Sequence, residues 1–280
     1  MSSENFHIFA PAKINLFLHI TGKRADGYHT LQSLMAFADV GDDLTFSAQD
    51  DFKVEMKGPF AAALPDTTDN LVYKAARILS EEYKIALRGK IILTKNLPIA
   101  SGIGGGSADA AAALKGFVKL WNLPHDPARL QKIALQLGAD VPACLYGGTV
   151  WAEGVGEKLA PLPDMPRLHL VLVNPLIATA TAAVFKSFRG EFSTTLEMKS
   201  MTVDDLEQCR NDLTDAALVV TPEIAGVLAA IAGTEGCRLH RLSGSGATCF
   251  GAYKDEAAAN AAAVALKARY PAWWVSSTNI

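Results

Sequence analysis

Leu97-Pro98-Ile99-Ala100-Ser101-Gly102-Ile103-Gly104-Gly105-Gly106-Ser107-Ala108-Asp109-Ala110-Ala111 is the stretch whose reading decides the fold. Four glycines and two serines occupy the seven positions 101–107, and an alanine-rich segment follows at once. Lacking Cβ atoms, Gly104, Gly105 and Gly106 can take φ > 0 and let backbone N–H groups approach a ligand closely. Ser107 reads as an N-cap, and Asp109 as a first-turn carboxylate favoured by the helix dipole. Leu114, Phe117, Val118 and Trp121 recur at helical spacing, which predicts a buried face on a helix over 108–121. A glycine loop that opens a helix is an anion site, because unpaired N–H groups and the dipole point the same way. The expected anion is a phosphate. A flexible Gly/Ser linker would not run into a periodic helix.

Two familiar phosphate patterns are absent. No lysine follows the glycines, as GxxxxGK[ST] requires, and Ser107 stands where GxGxxG needs its third glycine.

Working outward, a strand is expected over 6–21, with Ile14, Leu16, Leu18 and Ile20 inward and Lys13, Asn15, Phe17 and His19 on the opposite face. Arg24-Ala25-Asp26-Gly27 reads as a turn that delivers Tyr28 and His29. Residues 31–37 form a mixed apolar segment. Strands are expected over 43–46, 52–56, 90–95, 147–153, 168–174, 239–242, 248–253 and 273–276. Helices are expected over 71–82, 127–137, 179–188, 213–218, 223–232 and 257–268, with a polar surface loop over 190–201. Asp126-Pro127 supplies a cap and an N1 proline, and Gly138 a stop. Strands and helices that do not strictly alternate indicate an α+β fold. Three prolines within 161–166 mark a boundary between 1–162 and 163–280.

Composition narrows the function. Across 280 residues, 26 basic and 29 acidic side chains give a net charge of −3, which argues against a broad nucleic-acid or membrane surface. Four scattered cysteines without CxxC spacing suit a reduced intracellular protein better than a disulfide framework or a zinc site. The first residues show no charged segment followed by an apolar stretch, and no apolar run reaches membrane-spanning length. A cytoplasmic protein is expected.

Three further stretches carry candidate chemistry. Gly138-Ala139-Asp140-Val141-Pro142 places a carboxylate in a short stiff turn, where it either caps the next helix or does catalytic work. Pro11-Ala12-Lys13-Ile14-Asn15-Leu16 carries a lysine that reads either as an edge-strand charge or as a site cation. Arg241-Leu242-Ser243-Gly244-Ser245-Gly246-Ala247 is a second glycine turn between two strands.

Taken together these stretches resemble the GHMP kinases, a family that includes galactokinase, homoserine kinase and mevalonate kinase. Its phosphate loop reads roughly Pro-x-x-x-Gly-Leu-Gly-x-Gly-Ser-Ser. Pro98, Gly102, Gly104, Gly106 and Ser107 match that pattern, while Ile103 replaces the leucine and Ala108 the second serine. The resemblance implies a two-domain α+β kinase with the active site in the cleft between the domains. It implies ATP as co-substrate, with Mg2+, and an alcohol as phosphoryl acceptor.

Pro-Ala-Lys-Ile-Asn-Leu followed by Asp26-Gly27-Tyr28-His29 narrows the resemblance to the branch acting on a small diphosphocytidyl alcohol in non-mevalonate isoprenoid synthesis. By that resemblance Lys13 and Asp140 are catalytic. Pro98, Ser101, Gly102, Gly104, Gly105, Gly106 and Ser107 hold ATP, with Lys95 and Asn70 near the adenosine. Asn15, Tyr28, His29, Phe185 and Gly244 hold the alcohol substrate, with Tyr28 and Phe185 stacking the cytosine. Ser107 is the one metal ligand named. Another small-alcohol kinase of the family, such as homoserine kinase, and a non-catalytic binding module are the alternatives.

Overall fold

The computed structural model describes residues 5–64, 68–162, 165–198 and 201–280. The opening residues 1–4, part of the proline-rich boundary (163–164) and part of the polar loop (199–200) lie outside the described residues. The chain divides into two compact units, each discontinuous in sequence. The first comprises Met1–Ala12, Gly41–Ile99 and Gly104–Gly147; the second comprises Lys13–Val40, Ala100–Ile103 and Gly148–Ile280.

Strands β1 (Phe6–Lys23) and β2 (His29–Ser47) pair with each other and run through both units. The turn between them forms where the sequence places it. Arg24 N–H bonds Tyr28 O at 2.7 Å, Gly27 takes φ 91°, and Asp26 Oδ1 accepts from Tyr28 N–H at 3.2 Å. Where the sequence shows a mixed segment and a separate short strand, β2 is one strand of 19 residues.

In the first unit β3 (Phe52–Lys57) runs parallel to β4 (Gly89–Thr94), and β4 pairs antiparallel with the end of β2, Asp43 opposite Thr94. Helices α1 (Leu71–Tyr83), α2 (Gly105–Leu120), α3 (Pro127–Leu137) and α4 (Val141–Tyr146) complete it. Leu44, Phe46, Ile91 and Leu93 are buried on the sheet, and Val72, Ala75, Ala76 and Leu79 form the buried face of α1. Caps fix the ends of two of these helices. Asn70 accepts from Val72 N–H at 2.8 Å, and Asp126 from Arg129 N–H at 3.0 Å, with Pro127 behind it.

In the second unit the first part of β2 pairs antiparallel with β5 (Val150–Gly154), and β5 with β6 (Lys158–Pro161). Pro161 therefore closes an edge strand, a place proline tolerates because no ladder N–H is needed there. A four-stranded antiparallel sheet follows, ordered β10-β7-β9-β8: β7 (His169–Asn174), β8 (Cys237–Leu242), β9 (Cys249–Tyr253) and β10 (Trp274–Asn279). The unit also holds α5 (Thr181–Ser187), α6 (Val203–Glu207), α7 (Thr214–Val220), α8 (Ile224–Ala232) and α9 (Glu256–Arg269). Val171, Val173, Val227, Ile231, Ala259 and Leu266 belong to the core between this sheet and its helices.

One expectation is overturned on β1. Its second face is not solvated: Lys13, Asn15, Phe17 and His19 are all buried. Lys13 is therefore no edge-strand charge.

Candidate active site

The glycine loop is built differently from its sequence reading. Positive φ falls on Ala100 (51°), Gly102 (76°) and Gly104 (63°), whereas Gly105 and Gly106 are already helical. Gly104, not Ser107, is the N-cap of α2, so Ser107 stands at the third helical position. The first helical bond runs from Ala108 N–H to Gly104 O at 2.8 Å, which leaves the preceding N–H groups outside the α-helical ladder. The helix thus begins three residues earlier than expected, and the positive end of its dipole lies at Gly104 and Gly105.

Asp109 is also misread from sequence. It is buried and pairs with Lys95 Nζ at 2.6 Å, and Lys95 pairs in turn with Asp42. Asp42 Oδ1 accepts from the backbone N–H groups of Asn96 and Leu97 at 2.6 and 2.9 Å, anchoring the chain as it enters the loop. Burial pushes the Asp109 carboxyl up to about 7, against the Lys95 ammonium and with the help of Asp42. Burial opposes the Lys95 charge, but the two carboxylates outweigh it and hold its pKa above the usual lysine value. Asp109 Oδ1 is buried with no hydrogen-bond partner among the described residues. Asn70 is buried at the start of α1, where its carbonyl is used as the cap.

Within the second unit the loop residues 100–103 are tied to two other motifs. Ile103 O accepts from Lys13 N–H at 2.9 Å, Ser101 O from Thr248 N–H at 3.0 Å, and Gly102 O from Ser243 Oγ at 3.2 Å. A Cβ on Gly102 would fall 2.6 Å from Ser243 O and 2.7 Å from Gly246 N, so only glycine fits this close backbone approach. Gly244 is equally confined: its Cβ would meet Gly102 O at 2.8 Å and Asn15 Oδ1 at 3.3 Å.

Lys13 is 3% exposed, and one partner of its ammonium is Asn15 Oδ1 at 2.7 Å. The Asn15 amide then donates to Ser33 Oγ at 2.7 Å, and Ser33 donates to Phe17 O at 2.6 Å. Asn15 N–H bonds Ser243 Oγ at 3.1 Å. Asn15, placed by resemblance among the substrate contacts, has both ends of its amide engaged in this chain.

Asp140, in the first unit, occupies the N-cap position of α4, but its side chain makes no capping hydrogen bond. Pro142 and the Gly138 turn stiffen its backbone, and Val141 N–H bonds Gly138 O at 3.2 Å.

Tyr28 is 66% exposed, which rules out a core aromatic. The neighbouring His29 ring lies 5.8 Å from Phe185 at 30° and 5.6 Å from Phe188 at 80°. Burial, helped by Lys23, lowers the His29 pKa, so the neutral ring is favoured. Phe188 and Ser33 escape a motif search. The one signal for Ser33 is a polar pair, Gln32-Ser33, inside an apolar run. Gln32 holds the irregular segment after α5 by bonding Leu196 N–H at 2.7 Å and Leu196 O at 3.2 Å.

No group of three or more His, Cys, Asp or Glu side chains suited to a metal occurs among the described residues. The half-buried Ser107 hydroxyl in the first turn of α2 is a hard oxygen donor. That donor set fits a Mg2+ carried largely by nucleotide phosphates, not an all-protein cage.

Comparison with known proteins identifies the family. The GHMP kinases N terminal domain matches residues 70–148, and the GHMP kinases C terminal domain matches residues 199–272. The chain belongs to the GHMP kinase family, and it is a small-molecule kinase. It is similar to a protein of Paramagnetospirillum magneticum named 4-diphosphocytidyl-2-C-methyl-D-erythritol kinase, at 49% identity covering 99% of each chain. A protein of the same name from Parvibaculum lavamentivorans is 49% identical, covering 95% of each. Among solved structures, a 4-(cytidine 5'-diphospho)-2C-methyl-D-erythritol kinase matches with TM-score 0.82 and 31% identity, covering 98% of this chain and 99% of that one. The homoserine kinase of Cytophaga hutchinsonii shares the fold at TM-score 0.72 and 20% identity, covering 100% of this chain and 96% of its own. No helix among the described residues is long and apolar enough to cross a membrane.

Proposed function

We propose that this kinase transfers the γ-phosphoryl group of ATP to the 2-position hydroxyl of 4-diphosphocytidyl-2-C-methyl-D-erythritol, in the non-mevalonate route to isoprenoid precursors. One observation carries the substrate reading. An exposed Tyr28 ring follows a hydrogen-bonded turn and directly precedes His29, whose own ring lies against Phe185. Aromatic faces of this kind suit a flat base, and base–aromatic stacking is worth about 1–3 kcal/mol. The near-full-length relatives that carry this enzyme's name support the same reading.

Phosphoryl transfer passes through a loose transition state, so the protein's work is positioning and charge stabilisation. In this reading Pro98, Ser101, Gly102, Gly104, Gly105, Gly106 and Ser107 form the ATP phosphate loop, with the free end of α2 aimed at the anion. Lys95 and Asn70 stand on the adenosine side, Lys95 acting through the carboxylates under α2. Lys13 supplies the cation beside the accepting hydroxyl, and Asp140 accepts or orients the hydroxyl proton. Tyr28 and Phe185 hold the cytosine, with His29 and Asn15 contributing polar groups and Gly244 lining the alcohol. Mg2+, bound through the nucleotide and Ser107, would neutralise charge developing on the phosphate oxygens.

The reading includes a cytoplasmic setting and no nucleic-acid partner, supported by four cysteines that form no disulfide among the described residues and a net charge of −3. The sequence boundary between 1–162 and 163–280 is kept as the division between the family's two modules, whose matches fall on either side of it. A coupled ADP-release assay tests the reading. Turnover with the diphosphocytidyl alcohol and not with homoserine is the expected result; the reverse would overturn it.

A further inference from the structure

We infer that Ser33 is a positioning residue for phosphoryl transfer, acting on Lys13 through the Asn15 amide. This rests on the proposed catalytic role of Lys13. The three side chains are 0%, 3% and 1% exposed for Ser33, Lys13 and Asn15, so water does not share their hydrogen bonding. The chain has only one self-consistent direction. An ammonium donates and never accepts, so the Asn15 oxygen must face Lys13 Nζ, 2.7 Å away. The Asn15 NH2 then faces Ser33 Oγ, also at 2.7 Å, and needs an acceptor there. Ser33 can accept because its single proton is committed to Phe17 O at 2.6 Å. Both anchors lie on paired backbone: Phe17 is in β1 and Ser33 in β2, where Ser33 is opposite Ala152 of β5.

Ser33 therefore holds the other end of the amide and keeps its oxygen turned toward the cation. Without its hydroxyl a buried NH2 loses its acceptor, and burying an unpaired donor is costly. Turning the amide over to find another partner would point the NH2 at the ammonium and push Lys13 away from its working position. Ser243 holds the Asn15 backbone at 3.1 Å, so the residue has little room to shift as a whole.

The test is a double-mutant cycle between Ser33→Ala and Lys13→Met, read by single-turnover kinetics, with KM for ATP and a thermal melt for each variant. Ser33→Ala is expected to lower kcat roughly 10-fold or more with little change in KM for ATP. In the Lys13→Met background the same substitution should change the residual rate less than twofold, because the cation it positions is gone. Ser33→Ala with wild-type kcat, while Lys13→Met is impaired, would overturn this inference alone. So would a Ser33→Ala loss that multiplies unchanged onto Lys13→Met, the mark of a purely structural residue. Lys13→Met at wild-type kcat would overturn the catalytic role of Lys13 and this inference with it. Should Ser33→Ala fail to fold, Ser33→Cys keeps the volume but offers a weak acceptor, and the same kcat loss and the same cycle are expected of it.

Discussion

The Lys95 ammonium lies 3.1 Å from the point where a Cβ would stand on Gly105. Gly105 is helical, so an alanine there meets no backbone strain. What an alanine meets is the end of a buried lysine held between Asp42 and Asp109. Gly105→Ala is therefore expected to displace Lys95 and disturb the start of α2. ATP binding should weaken several-fold and binding of the cytidine substrate much less. Titration calorimetry of each ligand separately checks this; equal losses would mean that the loop had collapsed.

The same buried carboxylate gives a pH prediction. The Asp109 pKa is raised in the folded state to about 7 from an ordinary 3.8. A raised folded pKa contributes stability that is fully present below the unfolded value and lost as pH rises through the folded one. Stability attributable to Asp109 should thus fall between pH ~4 and pH ~7, while Lys95 stays charged and Asp42 faces it throughout. Asp109→Asn removes the titration along with the pairing to Lys95. The difference in Tm between variant and wild type should move in the variant's favour as pH rises across that window. A pH-independent difference would contradict the assignment.

Asp140→Asn should cost α4 no cap, because the Asp140 side chain makes no capping hydrogen bond at the N-cap position it occupies. An N-cap carboxylate that did bond the helix would cost about 1 kcal/mol on loss of its acceptor. Turnover is expected to drop ~10²–10⁴-fold, the usual contribution of a positioned proton acceptor. Steady-state kinetics beside a thermal melt distinguishes the two roles.

Tyr28→Phe should be mild and Tyr28→Ala should raise KM for the cytidine substrate by the equivalent of about 1–3 kcal/mol, with KM for ATP unchanged. With the ring 66% exposed, Tm should hold. Phe185→Ala should raise the same KM but also lower Tm, because Phe185 packs against the core as well as against His29. If both rings hold one base, the double variant will lose less than the sum.

Periodicity and caps made much of the fold legible. Asn70, Asp126 and Gly138 sit at the helix ends where their chemistry places them. What stayed hidden depends on burial. Lys13 and Asn15 alternate with apolar residues and so read as a solvated face, yet their face is covered too. A buried lysine carries no sequence mark until its partners are known. Lys95 and its two carboxylates, at 42 and 109, are far apart in the chain and converge only in space. Ser107 looked like a cap because the glycines before it read as loop; the helix starts at Gly105 because Gly104 takes the left-handed conformation that caps it. β6 escaped because Pro161 argues against a strand unless the strand is an edge.

The central claim, transfer to the 2-hydroxyl of the diphosphocytidyl alcohol, is tested most directly by the proton-coupled phosphorus NMR spectrum of the product. The 2-carbon of a 2-C-methyl erythritol bears the methyl group and no hydrogen, so a phosphate there has no carbinol proton to couple to. The account predicts one new monoester resonance, a singlet, growing as ATP is converted to ADP. A split resonance would place the phosphate on another hydroxyl, and ADP formation with no new monoester would contradict the account outright.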